Sequence, residues 1–233
     1  MLQQVIAQRK HFTHLPQEIR ESSELEQINT DTGRYYKTPT GVLYPSVTTV
    51  TGLLGAEGIK AWRRKVGEEE ATRISTQASI RGTRIHQLCE DYLNNDDIDV
   101  SKYSYQDASN FSLLKLELDA NLDNIHLQEV RLYSDYLKMA GTVDCVAEWK
   151  GKLSIIDFKT AKKAKNRSYI TNYFCQASAY AVMYEERYNI PISRIVILIS
   201  VDDEYPQIFE DRRDTYIKPL MDIRENYRLT YGV

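Results

Sequence analysis

The chain has 233 residues, a formal net charge of −3, 42 % hydrophobic and 27 % charged side chains. That length suits one domain with elaborations and can bury a full core, and the near-neutral balance excludes a molecule that grips a polyanion with its whole surface. No apolar run approaches the roughly 18 residues needed to span a bilayer, and Cys89, Cys145 and Cys175 form no C-x-x-C, so they read as small buried hydrophobes rather than a metal or disulfide framework.

The opening stretch, MLQQVIAQRKHFTHLP, has neither the layout of a secretory signal nor the Arg/Ser richness of a transit peptide, so a cytoplasmic protein is expected. Residues 1–32 are weakly patterned and read as an irregular arm or peripheral helix. RYYKTPTGVLYP (34–45) reads as a hairpin of two Tyr-containing runs around Thr-Pro-Thr-Gly. Ser46 can then cap a short helix, VTTVTGLLG, ended by Gly55. From Ile59 to about Asn94 the apolar spacing is helical, in two helices, and 105–121 form another. The character then changes. IHLQEVRLY, MAGTVDCVAEW and LSIIDFKT are strand-like, 167–189 a long helix and RIVILISV a buried strand, with an edge strand near 206–210 and a final helix over 211–229. Helices followed by β-β-β-α-β and a helix imply an α/β fold with a mixed central sheet, flanked by helices, and an N-terminal helical elaboration. The whole chain, 1–233, is expected to be one domain: arm, hairpin and helical part over 1–121, α/β core over 122–233.

Lys150-Gly151 suits a two-residue hairpin turn, which places Trp149 opposite Lys152 and, counting outward, Asp144 opposite Asp157. Like charges so placed destabilise a sheet unless something compensates. One compensation is a shared Mg²⁺ or Mn²⁺, which prefers hard oxygen ligands; the Phe158 carbonyl can add another, with Lys159 beside it on the face of Asp157. The other is a structural ion triad in which Lys159 bridges both aspartates. On the helix RGTRIHQLCEDYL, His86 and Glu90 lie four apart on one face, so this helix could bring His86 as a further ligand.

The order of Gly82, His86 and Glu90 on a helix, Gly141 and Asp144 on a strand, Ile155, Asp157 and Lys159 on the next, then Gln176 and Tyr180 on a helix resembles the PD-(D/E)XK (restriction-endonuclease-like) nuclease superfamily and, within it, the RecB-type exonucleases. The front part, YPSVTTVTGLL through RGTRIH, is similar to the mitochondrial genome maintenance exonuclease group and its phage and bacterial relatives. The resemblance covers roughly residues 44–182. It implies metal-binding carboxylates at Asp144 and Asp157, a catalytic Lys159, an extra metal ligand at His86, and a Gln176 that helps hold the site with Tyr180 packed beside it. Glu129 matches a recurring acidic position. The four cysteines of iron–sulfur relatives are missing, so no such cluster is expected.

The run KTAKKAKNR, with Lys162 and Lys163, follows Lys159 directly, and Arg63, Arg81 and Arg84 add positive charge ahead of the site; these are the candidate phosphate contacts. Tyr180 is counted with them, while Tyr35, Tyr36, Tyr44 and Trp62 could stack on bases. The acidic runs 68–70 and 202–204 should face away from a nucleic acid. The expected activity is a Mg²⁺/Mn²⁺-dependent exonuclease on single-stranded DNA or DNA ends, with replication or recombination proteins as possible partners. A structure-specific endonuclease on the same core and a non-catalytic binding module are the alternatives.

Overall fold

The computed structural model describes residues 9–15 and 25–232. Glu26–Thr30 (β1), Gly33–Lys37 (β2) and Leu43–Pro45 (β3) make an antiparallel three-stranded sheet. The hairpin of β2 and β3 is the one expected, with Tyr36 opposite Tyr44. β1 is a correction to the irregular arm: EQINT carries no apolar stripe, and pairing with β2, Gln27 opposite Tyr36, makes it a strand. Elsewhere in that arm, His14 bridges Ile125 of the main sheet, and residues 1–8 and 16–24 lie outside the described residues.

Ser46 caps the next helix, Val47–Thr51 (α1), by accepting from the Thr49 N–H, and a 3₁₀ turn carries the chain to Gly55. Ala56–Val66 (α2) and Glu68–Leu93 (α3) are separated at Gly67, whose φ of 88° suits glycine and breaks the helix. Tyr105–Asn121 (α4) is capped by Ser104 and runs into Leu122–Ser134 (β4). Met139–Trp149 (β5), Lys152–Ala161 (β6), Thr171–Tyr188 (α5), Arg194–Val201 (β7) and Gln207–Arg212 (β8) follow, and Ile217–Tyr231 (α6) ends the chain. The last helix starts later than expected because 207–212 complete a strand paired with β7.

The main sheet runs in order β4-β5-β6-β7-β8, antiparallel except where β6 and β7 are parallel, joined through α5. Parallel neighbours need such a crossover. The fold is therefore a mixed sheet flanked by helices. One apolar cluster joins the sheet to α1, α5 and α6 and includes Ile155, Ile197, Phe174 and Tyr227; the other joins it to α3 and α4 and includes Ile156, Leu198, Leu88 and Phe111. The three cysteines are buried and unbonded. Among the described residues no helix is long and apolar enough to cross a membrane.

The small sheet is docked on β5 rather than left hanging. Ser46 bridges Ala140, the Tyr44 hydroxyl donates to Asp135 at 2.8 Å, and Tyr36 and Tyr44 share a small core with Tyr133.

Candidate active site

Lys150 and Gly151 form the expected turn, both left-handed, with φ of 51° and 68°. From there β5 and β6 pair regularly, Trp149↔Lys152 through Cys145↔Ile156. The ladder stops one step further on, at Asp144 and Asp157. On the other flank Gln128↔Cys145 and Val130↔Val143 bracket Glu129 and Asp144, which are not themselves paired. The register therefore puts three carboxylates, Glu129, Asp144 and Asp157, at one level on three adjacent strands.

The backbone departs from regular strand geometry at that level. Glu129 has φ of 50°, a sparsely populated region for a residue with a Cβ. Leu127 and Val130 both reach the α5-side cluster although they are three apart, and so do Val143 and Val146. Simple alternation would send each pair to opposite faces. β6 keeps the alternation, Ile155 to one cluster and Ile156 and Phe158 to the other. Two strands thus twist their side chains around a site that the third holds straight.

Helices from both faces complete it. From α3, His86 Nε2 lies 2.9 Å from the Phe158 carbonyl, and its Nδ1 lies 3.8 Å from Asp144 Oδ1. A carbonyl only accepts, so Nε2 carries a proton there, and Nδ1 faces Asp144. Asp144 Oδ2 accepts from the Phe158 N–H at 2.8 Å. From α5, Gln176 Nε2 donates to Asp157 Oδ1 at 2.9 Å, and Lys159 Nζ stands 2.5 Å from Asp157 Oδ2. That contact is an ion pair without good hydrogen-bond direction. The Lys159 ammonium also lies over the Tyr173 ring. Gly141 is required where it stands: a Cβ there would meet the Tyr180 hydroxyl at 2.7 Å.

Burial dominates the electrostatics. Asp157 is fully enclosed, and loss of water pushes its carboxyl upward; Lys159 opposes this and Asp144 adds to it. Burial works to lower the Lys159 ammonium, but Asp157 and Asp144 outweigh it and the net shift is upward. Glu129 is pushed up to about 8, first by burial and then by Asp144 and Glu90. Glu90 also rises, through burial and Asp91. A site that crowds carboxylates and penalises their charge is one a cation would relieve.

The structure brings His86, Asp144, Asp157, Phe158, Lys159 and Gln176 together, but groups them differently from the expected ligand set. The donor atoms of His86, Glu129 and Asp144 lie within 4.8 Å of one another. Asp157 stands outside that group, engaged by Lys159 and Gln176, and the Phe158 carbonyl accepts from His86 and, at 3.3 Å, from Lys159. The triad reading is also altered, since Lys159 pairs with Asp157 and not with Asp144 among the described residues.

The expected phosphate contacts divide. Lys162 and Lys163 are exposed on the loop after β6. Arg63 is paired with Glu68, Arg81 with Asp202 and Arg84 with Asp107. Tyr180 needs correcting outright: its ring is 2 % exposed and belongs to the core, held there by its fit against Gly141. The stacking role fails likewise for Tyr36 and Tyr44, both buried. Of the acidic runs, Asp202 is occupied by Arg81 and Asn110, and Glu68 by Arg63. A cleft of about 380 Å³ over the site is lined on its other side by Arg34, Tyr36, Ser46 and Thr48, which sequence reasoning did not connect with it. Their signal was faint: Arg34 and Tyr36 are two apart on a strand and so share a face.

The donor set fits a hard divalent cation. Two carboxylates and one imidazole nitrogen are ligands Mg²⁺ or Mn²⁺ accepts, and a ligating histidine commonly gives its other N–H to a backbone carbonyl, as His86 does to Phe158.

Residues 99–208, which include Glu129, Asp144, Asp157, Lys159 and Gln176, match the family model of the PD-(D/E)XK nuclease superfamily. Over that stretch, slightly less than half of the chain, it is similar to nucleases of that superfamily. Among curated proteins it is similar to Mitochondrial genome maintenance exonuclease 1 of Xenopus tropicalis, 26 % identical over 158 residues that make up 64 % of this chain and 44 % of that protein. The Mus musculus counterpart is 24 % identical over 157 residues, 64 % of this chain and 46 % of that one. The chain thus spans less than half the length of these relatives. A crystal structure from Eubacterium rectale, provisionally described as an exonuclease, is similar with a TM-score of 0.42 and 11 % identity over 65 % of this chain and 68 % of that one.

Proposed function

We propose that this chain is a divalent-cation-dependent DNA exonuclease that prefers single strands with free ends. One observation carries the reading: carboxylates from three strands, a histidine from one helix and a lysine beside the second aspartate converge at the level where β5 and β6 stop pairing. His86, Glu129 and Asp144 would hold a Mg²⁺ or Mn²⁺ ion. Such an ion, when bound, supplies a more acidic water and Lewis-acid stabilisation of charge on a phosphate. Asp157, held by Gln176, keeps the Lys159 ammonium charged and aimed into the cleft, where it can stabilise negative charge building on a phosphate oxygen. Asp144 accepts from the Phe158 N–H, and His86 donates to the Phe158 carbonyl, so the backbone of one residue orients two candidate ligands.

Preference for a free strand rests on the similarity to exonucleases, with α1 and α3 supplying Thr48 and His86 to the lining of the cleft. A cytoplasmic setting in a bacterial or phage-infected cell, with work in replication, recombination or repair, belongs to the same proposal. The test is to incubate end-labelled linear and closed circular single-stranded DNA with the protein and Mg²⁺ or EDTA, alongside Lys159→Ala. Metal-dependent loss of the linear strand, survival of the circle and an inactive variant are expected. Cutting of the circle moves the reading to an endonuclease, and no cutting of either overturns it.

A further inference from the structure

The candidate metal ligands sit between two hollows that share His86 and Glu129 as lining. One is walled by α3, with Gly82, Thr83, Gln87 and Glu90, and its charged groups are acidic. The other is walled by the small N-terminal sheet and contributes Arg34, Tyr36, Ser46 and Thr48 opposite Asp144 and Lys159. A polyanionic strand has reason to enter the second and to avoid the first.

Arg34 differs from the three arginines expected to contact phosphate. Arg63, Arg81 and Arg84 each face a carboxylate. Arg34 has no ion-pair partner among the described residues, although it lines a cleft with carboxylates at its base. Its main chain is nonetheless pinned. The Arg34 carbonyl accepts from the Ser46 N–H at 2.8 Å, and the Arg34 N–H donates to the Thr49 hydroxyl at 3.2 Å. Its strand neighbour Tyr36 is buried against β5, its hydroxyl 3.5 Å from that of Thr142. The small sheet thus fixes the main chain from which an unpaired guanidinium reaches the cleft, with Thr48 of α1 lining the same cleft.

We propose that Arg34, with Thr48 beside it, binds a backbone phosphate of the substrate strand adjacent to the phosphate being cleaved. The N-terminal sheet is then part of the substrate site and not merely packing for β5. This rests on the nuclease reading above, since it assumes a nucleic-acid strand in the cleft. A guanidinium fork meets two phosphate oxygens at once, whereas an ammonium offers only a point charge. Contact with the backbone weakens all sequences alike when it is lost.

The test compares Arg34→Gln with Arg212→Gln, an exposed arginine on β8, the strand at the far edge of the sheet from β4. Both remove one positive charge. Binding of a labelled single strand is measured in a Lys159→Ala background so that nothing is degraded, and turnover is measured with Lys159 intact. Arg34→Gln is expected to weaken binding by about tenfold and to reduce the magnitude of the log–log salt slope by about 0.7, the loss of one phosphate contact on a single strand. Arg212→Gln should leave both unchanged, and Arg34→Lys should keep the slope while recovering only part of the affinity. kcat/KM should fall in parallel with binding for Arg34→Gln. If the parent protein degrades DNA but Arg34→Gln and Arg212→Gln behave alike, the Arg34 assignment is wrong and the nuclease reading survives. If the parent neither binds nor degrades DNA, both fall together.

Discussion

The turn half and the cleft half of the β4–β5–β6 unit follow different rules within one set of strands. Near Lys150-Gly151 β5 and β6 pair at every step, and Val146, Ile155 and Trp149 are buried apolar side chains. Six residues away the ladder lapses, Glu129 takes a left-handed backbone, and three carboxylates share a level. The first half holds the sheet together through apolar burial. The second gives up the β5–β6 pairing and accepts like-charge crowding, a departure that the surrounding packing must hold in place.

If that division is right, the two halves should respond oppositely to substitution. The largest effect is expected for Asp144→Asn: kcat in Mg²⁺ should fall by about 10²–10³, the scale of losing one electrostatic group from a site. In EDTA its melting temperature should hold or rise, because one of the crowded charges is gone. An unchanged kcat would remove Asp144 from the chemistry. Ile155→Ala, in the paired half, should do the reverse and cost about 2–5 kcal/mol by urea unfolding. Its activity per folded molecule should stay near the parent value; a collapse of kcat without loss of stability would blur the division.

Gly141 lines the cleft half, where Gly141→Ala should drive a methyl into the Tyr180 hydroxyl and cost about 1–3 kcal/mol. Adding Tyr180→Phe removes the struck oxygen and should return part of that loss. Additive losses in the double variant would mean the contact is not the cause.

The smallest effect concerns Glu129. Its carboxyl is pushed up to about 8 by burial and by Asp144, so in the metal-free protein the folded state keeps a proton that the unfolded chain loses near its ordinary 4.5. The folded state binds more protons through that window, and stability must therefore fall as pH rises from about 5 to 8. Asp157, also raised by burial, adds in the same direction. Glu129→Gln in EDTA should flatten the slope and raise the melting temperature at pH 8 by roughly 3–6 °C. A slope unaltered by the substitution would place the titrating group elsewhere.

Much of this arrangement was legible in the chain because its signals are local. A glycine after Lys150 sets a two-residue turn, a turn sets a register, and the register carries Asp144 opposite Asp157 without any reference to the rest of the molecule. His86 and Gln176 were legible by their order along the chain relative to those aspartates. Glu129 was visible as an acidic position but its partners were not, since its place beside His86 and Asp144 depends on an irregular strand conformation that VRL and LQE do not announce. Tyr180 was read both as packed beside Gln176 and as a contact for nucleic acid, and its burial agrees with the first alone, because a tyrosine in an amphipathic helix looks the same whether it meets solvent or Gly141.

The amino-acid order by itself determined the main elements, the β5–β6 register and the family resemblance, because hydrophobic period and turn chemistry act between near neighbours. Only the tertiary structure decided which charges are already spent on one another and which remain for a ligand. Arg63, Arg81 and Arg84 are paired, whereas Arg34 is not, and nothing in a string of arginines distinguishes them. Ion pairs and cleft walls join residues tens of positions apart, such as Arg81 with Asp202 or Arg34 with Asp144, and those encounters exist only after the chain has closed on itself.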